Sequence, residues 1–194
     1  MFKLFYSVIF AFLFTNISHL YSDTYNSPKP YENLFSFSIE DLKLGQGIKK
    51  EELLESGQAG VKFFDDFGKL VSFEWAKIPN EYKTLPETQI FQTAANNTYG
   101  TLKSALPQIT LIKVEPYYIN GIKVLELLFD CPKGSTLVIA ETRERLDSIR
   151  GVLLFRNGDW LYSLTVMKLK DPQAVSTVET ELRRIFEHIK INAY

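Results

Sequence analysis

From Gly151 to Met167 two β-rich runs, Val152-Leu153-Leu154-Phe155 and Trp160-Leu161-Tyr162-Ser163-Leu164-Thr165-Val166-Met167, flank Arg156-Asn157-Gly158-Asp159. Asn-Gly between such runs signals a two-residue hairpin, because both central residues of a type I′ turn need positive φ. Asp171 then fits a helix N-cap, with Pro172 at the first helical position, where a missing N–H does no harm. Val175, Val178, Leu182, Ile185 and Ile189 recur at steps of three and four. That stripe can lie on a sheet while Glu179, Glu181, Arg183, Arg184 and Glu187 face water.

The rest of the chain carries weaker versions of the same signals. Phe35, Phe37 and Ile39 alternate with Ser36 and Ser38, a short half-buried strand. Lys49 to Ser56 reads as a short helix with Ile48, Leu53 and Leu54 inward, ended by Gly57 and Gly60. Val61-Lys62-Phe63-Phe64, the turn Asp65-Asp66-Phe67-Gly68 and the run Lys69 to Trp75 form a hairpin whose better core face is Val71, Phe73 and Trp75. A helix from Pro86-Glu87 to Leu106-Pro107 follows, with Ile90, Ala94, Thr98, Leu102 and Ala105 as its inward stripe and Gly100 as a weak point. Ile109 to Ile119 and Ile122 to Phe129 pair through Asn120-Gly121. The second of these runs reads as a central strand, and Pro116 marks its partner as edge-like. Cys131 to Gly134 reads as a turn, Thr136 to Glu141 as another strand, and the charged stretch Thr142 to Ser148 as an exposed turn. The economical layout is α+β: one mostly antiparallel sheet with helices packed on it.

The first residues change the picture. Lys3 precedes the apolar run Leu4 to Phe14, which has the length of a signal peptide's hydrophobic segment and is too short to span a bilayer by itself. Residues 1–22 are therefore expected to be a signal, cut near Ser22 or Ser18, or retained as an anchor. Residues 23–33, with Pro28 and Pro30, read as a flexible lead-in, and 34–194 as a single α+β domain. The expected location is exported, periplasmic or extracellular, with no spanning segment beyond the signal. A formal net charge of −1 supplies no field to gather nucleic acid, and the 14% aromatic content suits sheet faces.

The order of elements resembles the PsbP-like α/β/α sandwich family. The residues that carry the resemblance are the Phe35-Ser36-Phe37 strand, the Val61 to Trp75 hairpin and the helix before Ile109. Gly121-Ile122-Lys123, the Gly151 to Met167 hairpin and the Val175 to Ile189 helix complete it. The resemblance implies a small exported or lumenal protein that binds partners or helps assemble complexes, without catalysis.

Candidate chemistry is sparse. The histidines are His19, beside the signal, and His188, which fits a helix C-terminus. Cys131 has no cysteine partner and reads as an inert core thiol; a Cys131–His188 pair has no local support. One cysteine with two histidines cannot build a structural zinc site. Asp65 with Asp66 offers two carboxylates to calcium and then stops, and Glu51 with Glu52 offers no more. Gly45-Gln46-Gly47 lacks the context of a phosphate loop. Asn96-Asn97-Thr98 matches a glycosylation acceptor. Glu74, Glu115, Glu126 and Glu141 are the carboxylates that could converge for hydrolysis. Glu126 stands out because it interrupts an apolar strand, where a buried carboxylate needs a partner such as Lys123, Lys113 or Arg150.

These observations assign no catalytic, cofactor or metal residue. They indicate a non-catalytic exported protein acting on a protein partner, through a surface of Tyr117, Tyr118, Arg156, Trp160 and Tyr162 if both Asn-Gly turns lie at one end of the sheet. Two other readings stay open. One is a carrier of a small apolar ligand, which needs a cavity lined by Phe and Leu. The other is a hydrolase with carboxylates converging around Glu126.

Overall fold

The alternating runs build sheets and the stepped stripes build helices, as the computed structural model shows for residues 24–28, 34–55, 58–139 and 142–192. The expected signal, residues 1–22, lies outside the described residues, as do His19 and Glu141. Among the described residues two units form, one from residues 24–28 and 34–43 together with 188–192, the other from the described residues of Leu44–Glu187.

The smaller unit is a three-stranded antiparallel sheet of β1 (Thr24–Asn26), β2 (Phe35–Ser38) and β10 (Lys190–Ile191), in the order β1-β2-β10. β1 falls inside the stretch expected to be a loose lead-in. Tyr25 pairs with Phe37 in register, and their rings stack with centroids 5.2 Å apart. The Ser27 hydroxyl accepts the Leu34 N–H at 2.9 Å, which ties the two ends of the intervening segment together.

The larger unit holds β3 (Lys49–Glu55), β4 (Gln58–Phe64), β5 (Leu70–Lys77), α1 (Glu87–Ala105), β6 (Thr110–Ile119), β7 (Ile122–Ile139), β8 (Thr142–Asn157), β9 (Trp160–Leu169) and α2 (Ala174–His188). The seven strands form one sheet in the order β3-β4-β5-β9-β8-β7-β6. Every neighbouring pair is antiparallel. Period-two alternation sends Leu125, Leu127, Phe129, Val152 and Leu154 to one face, where Phe91 of α1 and Ile109 complete a buried cluster. The opposite face carries Phe73, Phe155 and Tyr162. Phe186 of α2 meets Phe155 edge-on at 4.8 Å, and Tyr162 stacks on Phe155 at 4.9 Å. Helices thus cover both faces of the sheet, a sandwich of the expected class. Among the described residues no helix is long and apolar enough to cross a membrane.

Several local expectations change. Lys49–Glu55 is a strand, not a helix: β3 pairs residue by residue with β4, from Lys49 opposite Phe64 to Glu55 opposite Gln58, and Leu53 is exposed. Its lysines and glutamates suit a sheet edge, where charge discourages further pairing. Cys131 to Gly134 is not a chain reversal. Pairing slips between Cys131 and Ser135, so β7 bulges and continues, with Lys133 at φ 52° and its N–H held by Asp147 Oδ1 at 2.9 Å. Thr142 to Ser148 is therefore the first half of β8; Glu144, Arg145 and Asp147 are exposed, but the backbone is paired.

Asn120 and Gly121 have φ of 50° and 81°, the type I′ pattern. In the other hairpin Asn157 pairs with Trp160, so the loop is Gly158-Asp159, and Gly158 takes positive φ as in a type II′ turn. Asp171 does cap α2, accepting the Gln173 N–H at 2.8 Å. The buried stripe of α2 is Ala174, Val178, Leu182, Ile185 and Phe186; Val175, one residue beyond Ala174, turns off that face and is exposed.

Gly151 sets how closely α2 approaches. A Cβ there would stand 2.5 Å from Leu182 Cδ1 and 2.6 Å from Val178 Cγ1. Gly151→Ala is expected to lower stability by about 2 kcal/mol through overpacking, read as a lower urea midpoint at unchanged slope.

Candidate functional site

Glu126 lies on β7 facing α2 and is fully buried. In register it opposes Glu115 on β6 and Leu153 on β8. Lys113 and Tyr117 flank Glu115 on the same face of β6, two residues to either side. Two cations approach the buried carboxylate at ion-pair range, Arg183 at 3.6 Å and Lys113 at 3.9 Å. The Lys113 ammonium is also bound to Glu115 at 2.5 Å and to Glu179 of α2 at 2.8 Å. The Arg183 guanidinium lies over the Tyr117 ring, 4.6 Å from its centroid.

Burial pushes the Tyr117 phenol well above its ordinary value, and the Glu126 carboxylate beside it pushes the same way against the opposing pull of Arg183. Hydrogen bonds to Glu115 and Glu179 hold Lys113 firmly protonated, well above the usual lysine range. The same bond holds the Glu115 carboxyl below its ordinary value. Carboxylates thus converge, as one reading expected, but around an ammonium. Each of these carboxylates stands within ion-pair range of Lys113 or Arg183. The arrangement joins α2 to the edge of the sheet, and Glu181 bonded to Lys69 at 2.7 Å holds the other flank.

Of the three partners considered for Glu126, Lys113 is the one in place. Lys123 faces Glu87 of α1 at 3.9 Å, and Arg150 reaches Met167 Sδ at 3.5 Å. Arg183, Glu179 and Glu181 looked solvated by helical spacing alone. The signal that could have found them is the i,i+4 pair Glu179–Arg183, which matches the Lys113 and Glu115 of a neighbouring strand.

The two hairpin turns do lie at one end of the sheet, since Val124 at the start of β7 pairs with Phe155 at the end of β8. The five surface candidates do not share one patch. Tyr162 is fully buried. Tyr117 is half-buried beneath Arg183, and Trp160 is half-buried on the same face as Tyr162. Arg156 braces its own turn, with Nε donating to the Gly158 carbonyl at 2.8 Å. Tyr118, at 69% exposure, points to the opposite face beside Lys123.

Asp65 is buried, and its carboxylate accepts three backbone N–H groups: Gly45 at 2.7 Å, Phe67 at 2.9 Å and Lys69 at 3.0 Å. Asp66 pairs with Lys49 at 3.4 Å. Both acids and Gly45-Gln46-Gly47 therefore belong to one internal brace. Among the described residues no group of three or more His, Cys, Asp or Glu is placed to hold a metal ion. Cys131 is fully buried, and burial pushes its thiol up to about 11, so it stays protonated and unreactive. His188 ends α2 and is exposed.

Two depressions flank α1. The larger, about 590 Å³, lies over β3 to β5 and is edged by Glu51, Lys62, Glu74 and Asn97. The smaller, about 360 Å³, runs between α1 and β6 over Phe91, Leu125, Leu127 and Phe129. Beside it four of the nine large apolar or aromatic side chains exposed among the described residues sit on β6: Leu111, Ile112, Val114 and Tyr118.

No family model matches the sequence. No curated protein matches it either. Among solved structures, the chain is similar to PsbP (CyanoP) from the cyanobacterium Synechocystis sp. PCC 6803, with 18% identity and a TM-score of 0.54 over 88% of this chain and 92% of that one. The Ran-binding protein Mog1p of Saccharomyces cerevisiae aligns with 8% identity and a TM-score of 0.47, over 88% of this chain and 95% of its own.

Lys113→Met is expected to cost about 3 kcal/mol at neutral pH, because buried Glu126 then keeps a single cation. Glu115 titrates below its ordinary value when folded, so its stabilising contribution is present above the ordinary carboxylate range and lost as pH falls through the depressed value. The variant should therefore lose less stability than the wild type on acidification across that range, measured by urea unfolding at stepped pH. Asp65→Ala should cost about 2 kcal/mol in the same assay; Asp65→Asn should recover part of it, since its NH2 would face the Gly45 N–H. With the cyanobacterial match covering most of both chains, the chain has a PsbP-like α+β fold.

Proposed function

We propose that this chain is an exported, non-catalytic binding or assembly protein that acts through protein contacts, with residues 1–22 as its leader. The observation that carries the reading is the exposed apolar row on β6, with Leu111 at 43%, Ile112 at 47%, Val114 at 50% and Tyr118 at 69% exposure. Single exposed apolar side chains are ordinary, but four on one ten-residue strand make a patch of the kind that marks an interaction surface. The PsbP-like resemblance of the sequence implies the same class of role.

Backbone pairing is not the way such a partner would bind. β6 is an edge strand, but its register slips between Leu111 and Lys113 and Pro116 sits in its middle. A bulge and a proline are devices that block strand addition at a sheet edge. The partner would instead meet the side chains of this row, through a complementary apolar surface.

Crosslinking the native protein in the exported fraction of its producing cell tests this reading. The wild type is expected to be held by one reproducible protein partner, and the double variant Ile112→Asp, Tyr118→Ala to lose that product by at least about tenfold. A wild-type chain that stays free, or a partner held equally by the double variant, overturns it.

A further inference from the structure

We infer that the groove between α1 and β6 is a binding site for a single-chain fatty carboxylate, its alkyl chain lying over Phe91, Leu125, Leu127 and Phe129 and its carboxylate meeting Lys123. This goes beyond the protein-contact reading, which concerns the exposed row of β6; Leu111 and Val114 of that row also form a wall of the groove, whose floor is β7.

The groove has about 360 Å³, within the range of small-molecule sites. Its floor comes from the face of β7 that packs under α1, and its walls from Tyr99 on the helix and Val114 on the strand. Lys123 is the one charged residue among those that line it. That composition, an apolar trough with one cation at its border, complements a molecule with one apolar tail and one anionic head. The larger depression over β3 to β5 makes the contrast: it mixes Glu51, Glu52 and Glu74 with Lys62 and does not select such a molecule. Lys123 is placed to receive the head. It follows the Asn120-Gly121 turn by two residues, opposite exposed Tyr118, and its ammonium stands 3.9 Å from Glu87. That distance is an ion-pair approach beyond hydrogen-bond range, so its donors remain for a carboxylate.

The walls also argue against a strand as occupant. Pro116 borders the groove and lacks a backbone donor, and the bulge at Leu111 breaks the pairing edge. An alkyl chain needs no backbone partner and fills such a trough by contact alone.

Titration calorimetry of the mature chain with decanoate, below its micelle concentration, tests the site. One saturable site is expected. Octanoate should bind roughly sixteenfold more weakly, since each of the two methylenes it lacks is worth about fourfold in affinity. Lys123→Gln should weaken decanoate by about fivefold and leave decanol unchanged. Ala95→Phe, which fills the groove, should abolish both; Val114→Glu, at an exposed position, serves if that variant fails to fold. No saturable decanoate binding, binding undiminished by either groove variant, or equal decanoate affinity in Lys123→Gln each overturns the assignment. Lys123→Gln and Ala95→Phe leave the exposed row of β6 unchanged, so their results do not bear on the crosslinked protein partner.

Discussion

Where α2 crosses β8 the sheet presents no side chain, and the arrangement of that face follows from this. Gly151 lets Val178 and Leu182 descend to the strand itself. With those two seated, helical geometry decides where their neighbours go. Glu179 and Arg183, one turn apart, fall over β6, and Glu181 falls toward Lys69. Phe186, one turn beyond Leu182, reaches the ring of Phe155. A larger residue at 151 would lift the helix, and the ion pairs on both flanks would lengthen together with the aromatic contact. A single missing Cβ thus couples core packing to the charge network.

The network explains a carboxylate that burial alone would forbid. Glu126 is fully buried, and an ionised carboxylate taken out of water is costly unless cations stand near it. Lys113 comes from the neighbouring strand and Arg183 from the covering helix, so the charge is neutralised only when α2 is docked in one rotation about its axis. A leucine at 126 would pack on the sheet with no such requirement. The apolar stripe of Val178, Leu182 and Ile185 tolerates small rotations because dispersion contacts are non-directional. The charged contacts do not, and this is the physical sense in which a weakly stabilising cluster sharpens the structure.

The architecture was legible wherever local chemistry had one solution. Asn120-Gly121 and the runs around it named a hairpin, Pro86 and Pro107 bracketed α1, and the Val178–Leu182–Ile185 stripe named the face of α2. Legibility failed where a long-range partner decided the outcome. Lys49 to Glu55 carries helix formers but lies beside β4, so pairing overrides propensity. Cys131-Pro132-Lys133-Gly134 looks like a turn and is a bulge, because Asp147 on the next strand holds the Lys133 N–H. At the site, Glu126 was visible as an interruption and Lys113 as one of its partners. Arg183 was not, because nothing near it in sequence says that the polar side of a helix will meet the rim of a sheet. Tyr162 misled for the opposite reason: an aromatic beside a turn is either surface or core, and only the stacking of Phe155 on it decides.

The edge strand carries two features that conflict on stability grounds alone. An exposed apolar row is an aggregation hazard, and the commonest form of that hazard is pairing with another edge. Here the bulge at Leu111 and the proline at 116 close the backbone route while leaving the side chains in water. Replacing Leu111 and Val114 by threonine or lysine would remove the hazard outright, at exposed positions where β-rich polar residues fit as well. A strand that blocks pairing yet keeps its apolar row separates two properties: resistance to self-association through the backbone, and availability of the side chains. That separation is what an interaction surface on a sheet edge requires. It also places the apolar groove next to a border whose bulge and proline oppose strand pairing.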